Sequence, residues 1–240
     1  MAPETPPGLT GLVLLAVQGV EYRAVRRGVT SPWSVLPVPL GVADLAAWWE
    51  IYQPRLAGRP AVLLGLAGGL QPEWGVGSGV IYRGCTAGDT GATSQCDPEV
   101  TQWLTQRLGL PLVQGLTLPQ VVTQPRDKQA LGKRFGCAVV DMESYGLLAY
   151  LPRLGVVRVV SDTWDQALPD LNRAILPERG RLHPLRLGQV LLQQPLASWR
   201  LIHHSAQALH RLTTIARRLT SNAEKNYNKT GTTPVSEIQT

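Results

Sequence analysis

Two acidic strand ends carry the chemistry this sequence suggests. Within Cys137–Gln166, the apolar runs Ala138–Val140 and Val156–Val160 end on Asp141-Met142-Glu143 and Ser161-Asp162, with the helix-length segment Ser144–Leu154 between them. Read as strand–helix–strand, both clusters fall at the carboxyl ends of strands, where open α/β sheets bind ligands. That placement predicts one site served by Glu143 and Asp162. Carboxylates in such a site can move protons and stabilise developing positive charge. Carboxylates at strand ends also cap neighbouring helices, and pattern alone favours that simpler role. Asp141 suits it as a cap for Ser144–Leu154. Glu21, just beyond the run Leu9–Val17, reads by pattern as a solvated acid that complements the dipole at a helix start.

The elements that must position these residues follow from periodicity and turn chemistry. Leu9–Val17 is a first buried strand, and Tyr22–Arg27 begins a helix. Thr30–Pro39, with Pro32, Pro37 and Pro39, reads as loop, and Val42–Tyr52 has helical spacing. Ala61–Leu64 is a second strand leading into the small-residue turn Gly65-Leu66-Ala67-Gly68-Gly69, where a ligand can approach the backbone. Val80–Tyr82 is a strand and Gly84–Asp97 a loop. Pro98–Leu108 has a full helix signature, with Asp97 as N-cap, Pro98 in the first turn and Gly109 as the stop. Val113–Val122 is a strand region, and a helix ends before Gly136. Pro169–Leu187 is irregular, and Leu187–Gln193 is a short helix. Leu196–Leu219 repeats apolar residues at helical spacing from Trp199 through Leu219, with Arg200, His203, Arg211 and Arg218 opposite. The alternation predicts one α/β domain over residues 9–219, a three-layer α/β/α sandwich on a mixed central sheet. A disordered lead (1–8) and tail (220–240) flank it.

Composition narrows the function classes. The chain has 240 residues, a net charge of +6 and 44% hydrophobic residues. Arg200, Arg211, Arg217, Arg218, Lys225 and Lys229 stand against Glu224 alone between Leu196 and Lys229, so the excess charge is local. A local excess does not predict a nucleic-acid partner. It does permit the basic helix 196–219 to lie on an anionic membrane surface. Three cysteines in no CxxC pair fit a reduced, cytoplasmic setting. No apolar run is long enough to span a bilayer. His203, His204 and His210 lack acidic partners nearby, so no metal site is expected.

The segments CAVVDMES and VVRVVSDTWDQ resemble the signature of the nucleoside phosphorylase superfamily, in which one strand ends in DME and the next in SD. LLAVQGVEYRAV resembles the first strand of that superfamily with its acidic follow-on, and LLGLAGGLQPEWGVGSGVIYRG its glycine turn and next strand. The likeness runs over roughly 9–166. It points to methylthioadenosine/S-adenosylhomocysteine nucleosidases and to hopanoid-associated phosphorylases, and 185–219 resembles the ending of the latter. The resemblance implies cleavage of the N-glycosidic bond of a purine nucleoside, with adenine as the expected base, by hydrolysis or phosphorolysis. Asp162 would protonate the purine N7 from a partly apolar pocket, with Ser161 orienting it. Glu143 would bind ribose hydroxyls, Met142 would pack on the sugar, and Glu21 would activate water. Ala67 and Gly68 would border the substrate. Inorganic phosphate would be the co-substrate of a phosphorylase, with Gly19, Arg23 and Ala67–Gly69 as candidates to hold it. No cofactor is implied, and a homo-oligomer is. Three departures stand out: a short 31–56 segment, Leu66 where Ser or Thr is common, and Val121-Val122-Thr123 where a base-stacking aromatic is expected. They raise the alternative of a nucleoside-binding protein without catalysis.

Overall fold

The computed structural model describes residues 7–30, 33–176 and 181–221. A mixed sheet lies at its centre, built from β1 (Val13–Val17), β2 (Val35–Val38), β3 (Ala61–Gly69), β4 (Gly79–Ala87), β5 (Thr93–Gln95), β6 (Leu112–Thr117), β7 (Val139–Asp141) and β8 (Leu154–Asp162). The short strands β9 (Ile175–Leu176) and β10 (Arg181–Leu182) form a separate antiparallel pair. The helices are α1 (Val20–Gly28), α2 (Leu45–Leu56), α3 (Pro98–Leu108), α4 (Pro125–Phe135), α5 (Ser144–Tyr150), α6 (Pro184–Gln193) and α7 (Pro195–Thr220).

The near-continuous apolar strands are buried on both faces. Val13, Leu15, Ala61, Leu63, Leu154 and Val156 join α2 and α5 in one apolar cluster. Leu14, Ala16, Val62, Leu64, Val157 and Val159 join α1, α3 and α7 in another. Strand β3 runs parallel to β1 and β8 but antiparallel to β7. Pairing then continues from β8 to β4, β6 and β7 and back to β3, so the sheet curls on itself.

Several elements depart from the sequence expectations. The proline-rich stretch holds β2, parallel to β1 at the sheet edge, where the missing N–H of Pro37 is tolerated. Residues 31 and 32 of that stretch lie outside the described residues. The glycine-rich segment 65–69 is the second half of β3 rather than a turn. Gly84–Asp97 contains the end of β4 and the paired β5. Helix α5 stops at Tyr150, before Pro152. The expected lead and tail lie almost wholly outside the described residues. Helix α3 forms as read, with Asp97 accepting the Val100 N–H and Gly109 left-handed at φ 63°.

Helix α7 is divided along its length. Ala208, Leu212, Ile215, Ala216 and Leu219 are buried against the domain, whereas Trp199 and Ile202, expected on the same packed face, are exposed. Leu212→Ala should therefore lower stability by about 2–5 kcal/mol, while Trp199→Ala should stay within about 0.5 kcal/mol of the wild type. Denaturant unfolding of both variants checks the division.

Candidate active site

The two acidic strand ends lie on either side of the end of β3, not at the edge of a parallel pair. β7 and β8 run in opposite directions on β3, and β7 pairs only with its last two residues, Gly68 and Gly69. Val140 and Asp162 are therefore both register partners of Gly68.

Asp141 and Glu143 converge on a residue that the sequence reading gave no role. Arg158, in the middle of the valine run of β8, is completely buried. Its Nε donates to Asp141 Oδ2 at 3.0 Å, and its Nη2 donates to Glu143 Oε2 at 3.1 Å and to Ser144 Oγ at 3.2 Å. Its Nη1 lies 4.0 Å from Glu21 Oε2 and has no hydrogen-bond partner. Burial opposes the Arg158 cation, but Asp141, Glu143, Tyr82 and Glu21 together hold its pKa above the ordinary value. A cation inside a strand buried on both faces must find anions, and VVRVV was the sequence signal for it.

Gly65 makes the room. It is the register partner of Arg158, and a Cβ added there would sit 2.1 Å from Nη1 and 2.5 Å from Glu21 Oε2. The small residues of β3 thus serve packing of the charged groups. Ala67 is buried, its carbonyl accepting from Ser161 Oγ at 3.3 Å, and a Cβ on Gly68 would lie 3.0 Å from Asp162 Oδ2.

Glu21 enters from the first turn of α1 and accepts the Leu66 N–H at 2.9 Å. It is neither fully solvated nor merely a complement to the helix dipole. Burial pushes its carboxyl up to about 7, against the pull of Arg158. Glu143 Oε1 accepts the Gly41 N–H at 2.9 Å, and Met142 reaches toward Gly41 beside it. The short 31–56 segment therefore reaches the site after all. Burial also raises the Glu143 carboxyl, opposed by Arg158. Asp141 does brace the start of α5, accepting the Ser144 N–H at 3.2 Å and the Thr117 hydroxyl at 2.7 Å, besides its bond to Arg158.

Asp162 has a second cation. Lys128 of α4 is fully buried, and its Nζ donates to Asp162 Oδ2 at 2.5 Å and to the carbonyls of Thr163 and Gln166 at 3.0 Å each. The surroundings expected for Asp162 were partly apolar; they contain a buried ammonium instead. Ser161 donates to Asp162 Oδ1 at 2.8 Å. Helix α4 comes close enough because Gly132 lies against the end of β3, where a Cβ would be 2.4 Å from the Leu70 carbonyl oxygen. Nothing local in the polar run RDKQALGKR separates Lys128 from a solvated lysine.

Other candidates fall elsewhere. Arg23 lines a cavity of about 400 Å³ between α1 and α7, with Arg27, His210 and Thr213, and none of the carboxylates borders it. Asp165 accepts from Thr163 within the loop after β8. His204 bonds the Gln166 side chain at 2.8 Å. Phe135 packs in a small cluster with Cys137 and Leu70, and Val122 joins the same cluster.

Two predictions test this arrangement. Gly65→Ala should cost about 1–3 kcal/mol, read as a lowered Tm, because the guanidinium must move. Glu21 is protonated more readily in the folded chain than in the unfolded one, where 4.5 is the ordinary value. That preference stabilises the fold fully below 4.5 and is lost as pH rises through about 7. Glu21→Gln should match the wild type in acid and exceed it above neutrality, by at most roughly 3 kcal/mol. Denaturant unfolding at about pH 5 and about pH 8 measures the difference.

No family model matches the sequence, and no curated protein matches it. Solved structures do. A 5′-methylthioadenosine/S-adenosylhomocysteine nucleosidase from Neisseria meningitidis, in complex with methylthio-immucillin-A, superposes with a TM-score of 0.64 at 13% identity, covering 87% of this chain and 97% of that one. Futalosine hydrolase of Helicobacter pylori gives 0.63 at 11% identity, over 87% and 96%. A methylthioadenosine/S-adenosylhomocysteine nucleosidase from Helicobacter pylori gives 0.62 at 11% identity over the same shares. The chain therefore has the mixed α/β fold of these nucleosidases, the fold its DMES and SD segments resemble.

Proposed function

We propose that the protein hydrolyses the N-glycosidic bond of a purine nucleoside, with adenine as the base. One observation carries the reading: Glu21, with its carboxyl near neutrality, faces the unbonded Arg158 Nη1 across 4.0 Å. A water held there would donate to Glu21 and accept from Arg158. As its oxygen attacks C1′, Glu21 takes a proton. The C1′–N9 bond breaks and its electron pair passes to the purine. As N7 gains a proton from Asp162, that carboxylate takes one from the Lys128 ammonium it is paired with, so the proton passes from Lys128 through Asp162 to N7 and the lysine is left as a neutral amine. Glu143 keeps lone pairs for the ribose hydroxyls and stabilises cationic character in the sugar. Met142 packs on the sugar face. The names of the nucleosidases that share the fold support the same bond and base.

Water is preferred over phosphate because Glu21, Asp141 and Glu143 surround a single guanidinium. An anionic nucleophile would meet net negative charge there. A second reading, binding without turnover, is favoured by the engagement of both Glu143 oxygens.

The purified protein should release free base from at least one of methylthioadenosine, S-adenosylhomocysteine, adenosine, futalosine or an adenosylhopane analogue, at the same rate with and without phosphate. Calorimetric binding with no base released would leave only the second reading. Activity should rise with pH through about 7, as Glu21 ionises, and Glu21→Gln should abolish that limb. Asp162→Asn should lose about 10²–10⁴ in kcat and, because it unpairs the buried Lys128, should also lower the Tm.

A further inference from the structure

Large apolar side chains exposed to solvent gather on α6 and the first turns of α7. Leu192 is 83% exposed, Leu196 80% and Trp199 67%, and Leu185 and Ile202 on the same two helices are exposed as well. The other exposed large apolar residues among those described, Val20, Val42, Ile51 and Leu112, are scattered over separate parts of the fold. A gathered patch marks an interaction surface, whereas single exposed residues do not. The patch is built rather than frayed. Ser198 Oγ donates to the Leu191 carbonyl at 2.8 Å across the joint between the two helices, and Trp199 stacks on His203 with ring centroids 5.6 Å apart. His204 fastens the next turn to Gln166.

Its charge identifies what covers it. From Pro184 to Thr220 the sequence has no Asp or Glu, while it has Arg186, Arg200, Arg211, Arg217 and Arg218. Arg186 and Arg200 are exposed and adjoin Leu185 and Trp199. A two-fold contact with a second copy through this patch would set these arginines against each other with no acid in the segment to offset them. Apolar side chains with an interfacial tryptophan and flanking arginines, on helices lying along the surface, match an anionic lipid interface. No helix among the described residues is long and apolar enough to cross a membrane.

We infer that the protein docks on anionic membranes through Leu185–Ile202, lying in the interface without spanning it. This differs from contact along the whole of 196–219, because the second half of α7 is packed against the domain. It is independent of the reaction proposed above.

The test is co-sedimentation of the full chain with phosphatidylcholine vesicles and with equimolar phosphatidylcholine–phosphatidylglycerol vesicles. The wild type should bind the anionic vesicles at least about tenfold more tightly and lose that preference in high salt. Leu196→Asn/Trp199→Asn should abolish binding with an unchanged Tm, since both residues are exposed. Arg186→Gln/Arg200→Gln should weaken binding to anionic vesicles alone. Equal binding to both vesicle types, no binding to either, or undiminished binding by the Leu196/Trp199 variant would overturn the inference. So would a dimer seen by analytical ultracentrifugation that the same variant dissociates, which would assign the patch to a second copy.

Discussion

The fold around the site is arranged to keep one guanidinium out of water. Arg158 sits inside β8 with no solvent exposure, and three carboxylates come to it from different parts of the chain: Glu21 from α1, Asp141 from the end of β7 and Glu143 from the turn into α5. An isolated buried charge is prohibitively costly, so these groups constrain one another. Removing Asp141 or Glu143 would leave the guanidinium without a bonded partner on that side. The absence of a side chain at Gly65 and the start of α5 at Ser144 are conditions of the same packing problem.

The excess of negative over positive groups around Arg158 separates the carboxylates by role. Asp141 has its oxygens engaged by Arg158, Thr117 and Ser144, and its work is structural. Glu21 has one backbone N–H and a distant cation, and it is left to titrate near neutrality. Glu143 lies between the two, buried, with one bond to Arg158 and one to Gly41. Asp162 belongs to a different cation altogether. The two buried ion systems, centred on Arg158 and Lys128 and both drawing on β8, thus give four carboxylates distinct surroundings.

Much of this was legible in the sequence, and the missing parts share a cause. Helix α3 follows from Asp97, Pro98 and Gly109, because caps act within a few residues. The buried strands follow from valine runs for the same reason. Glu21 and Glu143 are brought to one guanidinium, while Asp162 pairs with a different cation. The proline in β2 and the glycines in β3 pointed to loop and turn because local propensity cannot see a sheet edge or a guanidinium waiting for space. Lys128 was invisible because its burial arises from α4 docking on β3 through Gly132 and from the loop after β8 folding over it. The apolar spacing of α7 runs its full length, yet the domain covers only its second half.

Lys128 uses its hydrogens on three acceptors: Asp162, the Thr163 carbonyl and the Gln166 carbonyl. An ammonium has three N–H donors and a neutral amine has two. Whenever a proton leaves this lysine, one of the three acceptors must therefore lose its partner. In the deprotonated state Asp162 and the two loop carbonyls cannot all be held. The proton count on Lys128 thus sets how many points anchor the loop, and the Gln166 side chain in turn bonds His204 of α7.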